Sequence, residues 1–276
     1  MKTLIFLSIL NLGFSCSNKP NDSVKTIGND KQLIQIVDSL ESSNSNNNIQ
    51  EERNTEKRDT ITQENIQYED FIEEAISKTF KEKKISHLDK KIEELDNDKK
   101  INKSYKIYWK TYMYYYKSLF YKNSLKDDDE ASKYIDLAIL EIEQNLISTE
   151  DYALYASCLS FSIQFANMTQ LSRISSKVEE NANKALELNN KNIRAYLVLA
   201  SHNFYTPKMF GGMTKVEENA IKGIACPNSL SNDYYEPYWG KPRLYEILIK
   251  YYESEKRKED VIKIKQLAKK EFPNTF

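Results

Sequence analysis

The candidates for acid–base or metal chemistry in this chain of 276 residues are two histidines and two repeated Glu-Glu pairs. The two histidines, His87 and His202, belong to no metal-ligand spacing such as His-Glu-x-x-His. Residues 179–180 and 217–218 are Glu-Glu pairs, but catalytic carboxylates need burial that separates their pKa values. The apolar periodicity of these helices puts both pairs on a polar face, and His202 is likewise expected at the surface. The chain is therefore not predicted to be an enzyme.

Motifs for nucleophilic catalysis and phosphate binding are missing from the sequence. It has no Gly-x-Ser-x-Gly, P-loop or dinucleotide fingerprint, and the pair 211–212 (Gly-Gly) alone is not a phosphate loop. The acidic run 126–130 (KDDDE) lacks the alternating oxygen ligands and the glycine of a calcium loop. Acidic residues instead suit the start of a helix, through capping and the helix dipole. We expect no metal site, no cofactor and no catalytic residue.

Three cysteines remain to be explained. Cys16 follows a short apolar run, residues 4–12, which is too short to span a bilayer. A polar stretch follows Cys16, and this layout resembles a bacterial lipoprotein signal, with an ordinary secretory signal as the alternative. The resemblance implies lipidation of Cys16 and a place in the cell envelope, on the periplasmic side of the outer membrane. Cys158 is expected to be a small buried hydrophobe, and whether it pairs with Cys226 stays open.

Composition argues against a nucleic-acid partner and favours one fold class. The formal net charge is −1, with 40 basic and 41 acidic residues well mixed, which argues against a nucleic-acid face. No glycine and no proline occurs between residues 29 and 206. A sheet protein of that length would need turn residues with positive φ, so the sequence predicts an all-α fold.

The chain divides into three parts on the same grounds. Residues 1–15 are predicted to be the signal peptide, and residues 16–66 a flexible tether whose polar runs cannot bury apolar area. Within the tether, residues 31–41 have the spacing of a short amphipathic helix. That helix is either transient or a segment that docks into a groove of the protein or of a partner. Residues 67–276 are predicted to form the folded domain.

The folded part contains a repeated helix. KVEENA occurs at 177–182 and again at 215–220, an offset of 38 residues. Second helices of successive pairs carry an apolar residue and a small one seven places later, on one face. First helices carry an aromatic residue at an aligned position. These repeat residues are Val178, Ala185, Val216, Gly223, Val261 and Ala268 on second helices, with Ala131 and Ala138 before them, and Tyr152, Tyr196 and Tyr245 on first helices.

The segment 182–200 (ANKALELNNKNIRAYLVLA) resembles the junction of two tetratricopeptide repeats, although the repeats here are longer than the usual 34 residues. The insert that contains Pro207 and 210–212 (Phe-Gly-Gly) resembles helical-repeat lipoproteins of the Bacteroidetes type. A weaker likeness, in architecture alone, is to the T component of TRAP transporters. The resemblance implies a right-handed helical-repeat solenoid of about four degenerate helix pairs.

In that family the concave face of the solenoid, lined by first helices, is the binding surface. Its mixture of aromatic, hydroxyl and cationic groups suits peptide recognition. The alternative for the two aromatic residues before the insert is that they only pack under the long loop. The residues assigned to the groove are Arg194, Leu197, Ser201, Phe204, Tyr205 and Phe210, with Ala153, Ser157 and Phe161 as counterparts one repeat earlier.

Two functions are compatible with these features. The first is a lipid-anchored periplasmic scaffold that binds a protein or peptide partner, because repeats bury their faces on neighbours and leave an extended groove. The alternative is an accessory lipoprotein of an uptake system that binds a small ligand or a glycan, suggested by the tyrosine-rich segment 105–121. SusD-type glycan binders share the anchor and the repeats but are much longer. The only membrane contact expected is through the N-terminal lipid, and no nucleic-acid partner is expected.

Overall fold

A computed structural model describes residues 67–228 and 233–276 and confirms the all-α prediction for them: they form ten α-helices and no strand. The predicted signal peptide, tether and helix 31–41 lie outside the described residues. The helices are α1 Tyr68–Glu82, α2 Ser86–Asn97, α3 Lys103–Phe120, α4 Asp128–Glu143, α5 Thr149–Ser162, α6 Met168–Leu188, α7 Ile193–Tyr205, α8 Val216–Ala225, α9 Lys241–Ser254 and α10 Lys258–Glu271.

From α3 onward the helices pack as consecutive pairs, α3 with α4, α5 with α6, α7 with α8 and α9 with α10. The first helices of the pairs (α3, α5, α7 and α9) also contact one another in series, and each second helix contacts the first helix that follows it. The hairpin of α1 and α2 packs against α3. The first helices thus share one face, which we call the first-helix face.

Helix starts follow the capping chemistry in the sequence. The Asp127 side chain accepts a hydrogen bond from the Glu130 backbone N–H at 3.0 Å, so the acidic run does open a helix. Ser148 and Asp151 form a reciprocal capping box at the start of α5. Asn192 caps α7 by accepting from the Ala195 N–H at 2.8 Å. These caps fix where α4, α5 and α7 begin, and hence which side chains of each helix face the same way.

The repeat residues on the second helices are the contact points between layers. In the first three pairs the apolar residue and the small residue at these positions are both buried. Val261, in the last pair, is half-buried. The fully buried members are Ala131, Ala138, Val178, Ala185, Val216 and Ala268. Among the aligned first-helix tyrosines, Tyr245 is buried, and Tyr152 and Tyr196 are half-buried.

Gly223 marks the closest approach between neighbouring helices. A Cβ at this position would lie 2.6 Å from Leu244 Cδ1 and 2.8 Å from Tyr196 Cβ. The leucine methyl can rotate away, but the tyrosine Cβ is fixed to the backbone of α7. The small residue at this register position is therefore required to be glycine in this pair, where the other pairs accommodate alanine.

The insert between α7 and α8 is organised by Asn203. Its side-chain oxygen accepts from the Lys215 N–H at 2.7 Å, and its amide nitrogen donates to Gly211 O at 3.2 Å. Gly211 has φ of 86°, as expected for a glycine that permits a left-handed bend. A Cβ on Gly212 would collide with the Thr206 carbonyl oxygen. The double glycine is thus needed for two separate reasons.

We expect Gly223→Ala to lower the free energy of unfolding, although alanine is the better helix former by about 1 kcal/mol. Overpacking a tight core position costs about 1–3 kcal/mol, which outweighs that gain. Urea denaturation followed by circular dichroism measures the difference. Lys222→Ala, an exposed substitution on the same helix, is the matched control. A Gly223→Ala protein more stable than wild type would contradict the close approach.

Candidate functional site

Residues 233–240, which we call the return loop, run from the α8 side of the chain back to α1 and α3. The Trp109 indole N–H donates to Tyr235 O at 2.9 Å, and the Trp239 indole N–H donates to the Tyr108 hydroxyl at 2.9 Å. Trp109 and Tyr108 belong to α3, more than 120 positions earlier in the chain. The return loop therefore lies against the first-helix face.

Glu69 in α1 holds the return loop from the other side. One carboxylate oxygen accepts from the backbone N–H groups of Tyr238, at 2.7 Å, and Trp239, at 3.2 Å. The side chain is buried, and burial, followed by the nearby Glu73, raises the pKa of Glu69 to about 8. A buried carboxyl group thus clamps the first turn of α1 to the loop before α9.

Arg194 does not line an open groove, and that expectation is wrong. Its guanidinium is buried and forms an ion pair with Glu150, with one Nη donating to Glu150 Oε1 at 2.7 Å and Nε donating to Oε2. The other Nη donates to Trp239 O at 2.8 Å. Asn192 Nδ2 also donates to Glu150 Oε1 at 2.8 Å. Both charges are hydrogen-bonded inside the protein, as buried ion pairs require.

Leu197 is buried as well, so its assignment to an accessible groove is also wrong. Gly240 sits directly over this part of α7, and a Cβ there would be 3.3 Å from Arg194 Cγ and 3.8 Å from Leu197 Cδ2. The physical reason is the same in both cases: the return loop covers the early turns of the first helices. Helical periodicity shows which residues share a face of a helix, but it does not show what covers that face.

The other predicted groove residues separate into two groups. Ser201, Phe204 and Tyr205 are half-buried, with the two aromatic rings perpendicular and 4.9 Å apart. Phe210 is 69% exposed in the insert, beside Met209 at 82%. Of the counterparts one repeat earlier, Ala153 and Phe161 are buried and Ser157 is half-buried.

Beyond the return loop, five partly exposed polar side chains from four helices meet on the first-helix face. We call them the Arg243 cluster: Glu73 of α1, Tyr115 of α3, Tyr205 of α7, and Arg243 and Glu246 of α9. Protein atoms surround the Arg243 side chain, yet part of its surface is accessible to solvent. Of these five residues, sequence reasoning had singled out only Tyr205.

Arg243 is held between aromatic rings. Its Cζ lies 5.4 Å from the ring centroid of Tyr116 and 5.4 Å from that of Trp239, within cation–π range. Among residues 67–228 and 233–276 the Arg243 guanidinium has neither a hydrogen-bond acceptor nor an ion-pair partner, and the Glu246 carboxyl group has neither a hydrogen-bond donor nor an ion-pair partner. A guanidinium has five N–H donors, so the rings orient this group without satisfying it.

Electrostatics in the Arg243 cluster reflect its partial burial. Burial alone would lower the pKa of Arg243, but the surrounding tyrosines and glutamates raise it above its usual range. Burial raises the pKa of Glu246, and Arg243 opposes that shift. Burial likewise raises the pKa of Tyr115 and of Tyr205 to about 12. Both phenols are therefore neutral donors at ordinary pH.

A sequence signal for Arg243 did exist. Glu150, Arg194 and Arg243 each stand two residues before the aligned tyrosine of their helix, namely 152, 196 and 245. They are equivalent positions of three successive first helices. Glu150 and Arg194 form an ion pair with each other, whereas Arg243 has no ion-pair partner among the described residues. Applying the register of Arg194 one repeat further would have found Arg243.

His202 is buried, contrary to the expectation of a surface histidine. Ser175 Oγ lies 2.8 Å from Nε2, and Ser160 Oγ lies 3.4 Å from Nδ1. Burial lowers the pKa of His202, with a small opposing effect of Glu179. Both ring nitrogens face serine hydroxyl groups rather than a carboxylate, so the contacts satisfy the ring between three helices but supply no carboxylate to orient it as a base.

Cysteine and metal chemistry add no second site within the described residues. Cys158 and Cys226 are both buried free thiols, and burial raises the pKa of each. No group of three or more His, Cys, Asp or Glu side chains between residues 67 and 276, the gap at 229–232 apart, could hold a metal ion.

Comparison with known protein families, characterised proteins and solved structures found no match to this chain. In the part of the chain that the structure describes, none of the helices combines the length and the apolar character needed to cross a membrane.

The Glu69 clamp makes stability depend on pH in a definite direction. The pKa of Glu69 is higher in the folded state, about 8, than its usual value of 4.5. Its contribution to stability is fully present below about pH 4.5 and is lost as the pH rises through 8, at up to about 1.4 kcal/mol per pH unit. Glu69→Gln keeps an oxygen acceptor and cannot ionise. We expect its stability relative to wild type to increase steadily from pH 5 to pH 8.

Urea denaturation at several pH values measures this trend. Glu218→Gln, at an exposed position, serves as the control and should show no such trend. A Glu69→Gln variant whose relative stability stays flat, or falls, between pH 5 and pH 8 would show that the buried carboxyl does not titrate in this way.

Proposed function

We propose that this chain is a non-catalytic binding protein whose first-helix face holds a compact ligand, a small molecule or the end of a peptide, at the Arg243 cluster. The observation that carries the proposal is the half-buried Arg243 side chain, whose guanidinium lies near two aromatic rings and has no hydrogen-bond acceptor among the described residues. Keeping a charge in apolar surroundings is costly unless it is paired. An incoming acceptor would supply the missing partner.

The return loop favours a compact ligand over an extended one. It covers the Arg194 and Leu197 section of α7 and bonds to α3 and α1. A long peptide laid across all first helices would have to displace it, together with the buried contacts of Trp239. A ligand at the Arg243 cluster needs no such displacement.

The wider architecture in this proposal is a right-handed solenoid of four degenerate tetratricopeptide-like pairs, with the first helices on its concave side. Series contacts among α3, α5, α7 and α9 support it, as does the burial of the repeated Val and Ala positions. The chain would act in the cell envelope, carried by a lipid on Cys16 at the periplasmic face of the outer membrane. A ligand-binding accessory protein of an uptake system has this combination of parts.

A protein-interaction scaffold is the second candidate, and one observation favours it. Met209 and Phe210 stand next to each other in the insert with 82% and 69% of their surface exposed. Neighbouring large apolar side chains at a loop tip are typical of protein-docking sites. This surface belongs to the insert rather than to the first-helix face, so the two candidates can be tested separately.

We expect a panel of peptides, amino acids and sugars to contain a ligand that raises the melting temperature of the full chain, because ligand binding to the folded state stabilises it. Hydrogen–deuterium exchange with that ligand should show protection in segments containing Tyr115 and Arg243. The double variant Met209→Ser/Phe210→Ser is the matched control and should bind equally well. Protection confined to residues 207–213 would instead identify the insert as the binding surface.

Lipid attachment has its own test. We expect the wild-type chain to sediment with membranes and Cys16→Ser to be released into the soluble fraction, because a thioether-linked lipid needs the sulfur atom. Mass spectrometry of the N-terminal peptide should show a diacylglyceryl adduct on Cys16 in wild type. Cys158→Ser, at a buried cysteine, controls for general effects of removing a thiol. A Cys16→Ser chain that stays in the membrane fraction would rule out this anchor.

A further inference from the structure

The charges of the Arg243 cluster restrict the ligand more than a single guanidinium would. Two carboxyl groups, Glu73 and Glu246, act on Arg243 from different helices. The Glu73 side chain accepts a hydrogen bond from the Tyr112 hydroxyl at 2.6 Å. Glu246 has no hydrogen-bond donor among the described residues. The cluster therefore presents both an unpaired cation and an unpaired carboxyl group on one face of α9.

Simple ions fit this arrangement poorly. A phosphate or another multiply charged anion would be attracted to Arg243 but repelled by Glu73 and Glu246. A plain cation would be repelled by Arg243 at the same site. Like charges within a few ångströms in a partly buried site cost several times what they cost in water. Only a ligand that carries both signs meets an opposite charge at each end.

We propose that the Arg243 cluster binds a zwitterion with an apolar side chain, that is, an α-amino acid or a short peptide. The ligand carboxylate would pair with Arg243, whose planar fork suits two parallel hydrogen bonds. The ligand ammonium would lie at Glu246, and its apolar part against Tyr115 and Phe161, whose rings are 5.5 Å apart. This inference rests on the proposed function and adds the chemical class of the ligand.

The aromatic surroundings agree with that class. The rings of Tyr116 and Trp239 each lie 5.4 Å from Arg243 Cζ and restrict the side chain before a ligand binds, so little conformational entropy is lost on binding. Tyr205 and Tyr115 are neutral phenols that can donate hydrogen bonds and whose rings attract an ammonium group. Trp239 lies close enough to Arg243 to report binding through its fluorescence.

The test uses the full chain and matched ligands. Binding of L-phenylalanine and L-leucine is measured by calorimetry and by tryptophan fluorescence, beside their carboxamides, their N-acetyl derivatives and the dipeptide Leu-Leu. We expect the carboxamide and the N-acetyl form each to bind at least about tenfold more weakly than the zwitterion, because each removes one charge-assisted contact. The relative affinities of the free amino acid and the dipeptide show whether the site is built for an amino acid or for a short peptide.

Two substitutions test the contacts of the ligand carboxylate and of the ligand ammonium group separately. Arg243→Lys keeps the charge but not the fork, and should weaken zwitterion binding by about tenfold while leaving the fold intact. Glu246→Gln should bring the affinities of zwitterion and N-acetyl form closer together. Lys269→Gln, an exposed substitution on α10, should bind like wild type.

The results can distinguish failure of the zwitterion inference from failure of the proposed function. If another ligand from the panel protects the Arg243 cluster while no zwitterion binds, the inference is wrong and the proposed function stands. If no ligand protects that cluster, both are wrong. Equal affinity for the zwitterion and its carboxamide would also overturn the inference, even with clear binding.

Discussion

The structure depends on one buried charge that is paired inside the protein. Arg194 lies inside the protein, and its guanidinium is bonded to Glu150 of the preceding first helix and to the Trp239 carbonyl oxygen of the return loop. An unpaired guanidinium at that depth would be strongly destabilising. The ion pair therefore ties α5 to α7, and the third hydrogen bond of the guanidinium holds the return loop over α7. Once the loop is there, Trp239 and Tyr238 are in position to bond with α3 and α1.

The same constraint explains why the functional candidate sits where it does. The return loop fills the early turns of the first helices, and the chain enters α9 immediately after Trp239 and Gly240. The position equivalent to Arg194 then recurs at Arg243, beside the loop rather than under it. In α7 the guanidinium of Arg194 is paired with Glu150, whereas in α9 the guanidinium of Arg243 has no partner among the described residues. A repeat that uses one register position for two purposes can keep its packing pattern while creating a single specialised site.

Much of the fold was predictable because it is local. The absence of glycine and proline from residues 29–206 indicated helices, and the duplicated KVEENA fixed a register that the burial of Val178 and Val216 confirms. The site was only partly predictable. Periodicity shows which side of a helix faces inward. The position of the return loop, however, depends on contacts with residues more than 120 positions earlier in the chain. The sequence of residues 233–240 gives no sign of those contacts. Arg194 was therefore placed in the open, whereas Arg243 was overlooked although the same register contains it.

The clamp between Glu69 and the return loop has a consequence for how the chain holds together. In an ordinary linear repeat array each unit touches only its neighbours, so unfolding can begin at either end and proceed piecemeal. Here backbone N–H groups of residues 238 and 239 bond to a side chain 169 and 170 positions earlier. Fraying of α1 would strand buried donors of the last repeat, and loosening of the last repeat would strand a buried carboxyl group in α1. The clamp thus couples the opening of α1 to the opening of the return loop, although these two segments are far apart in the sequence.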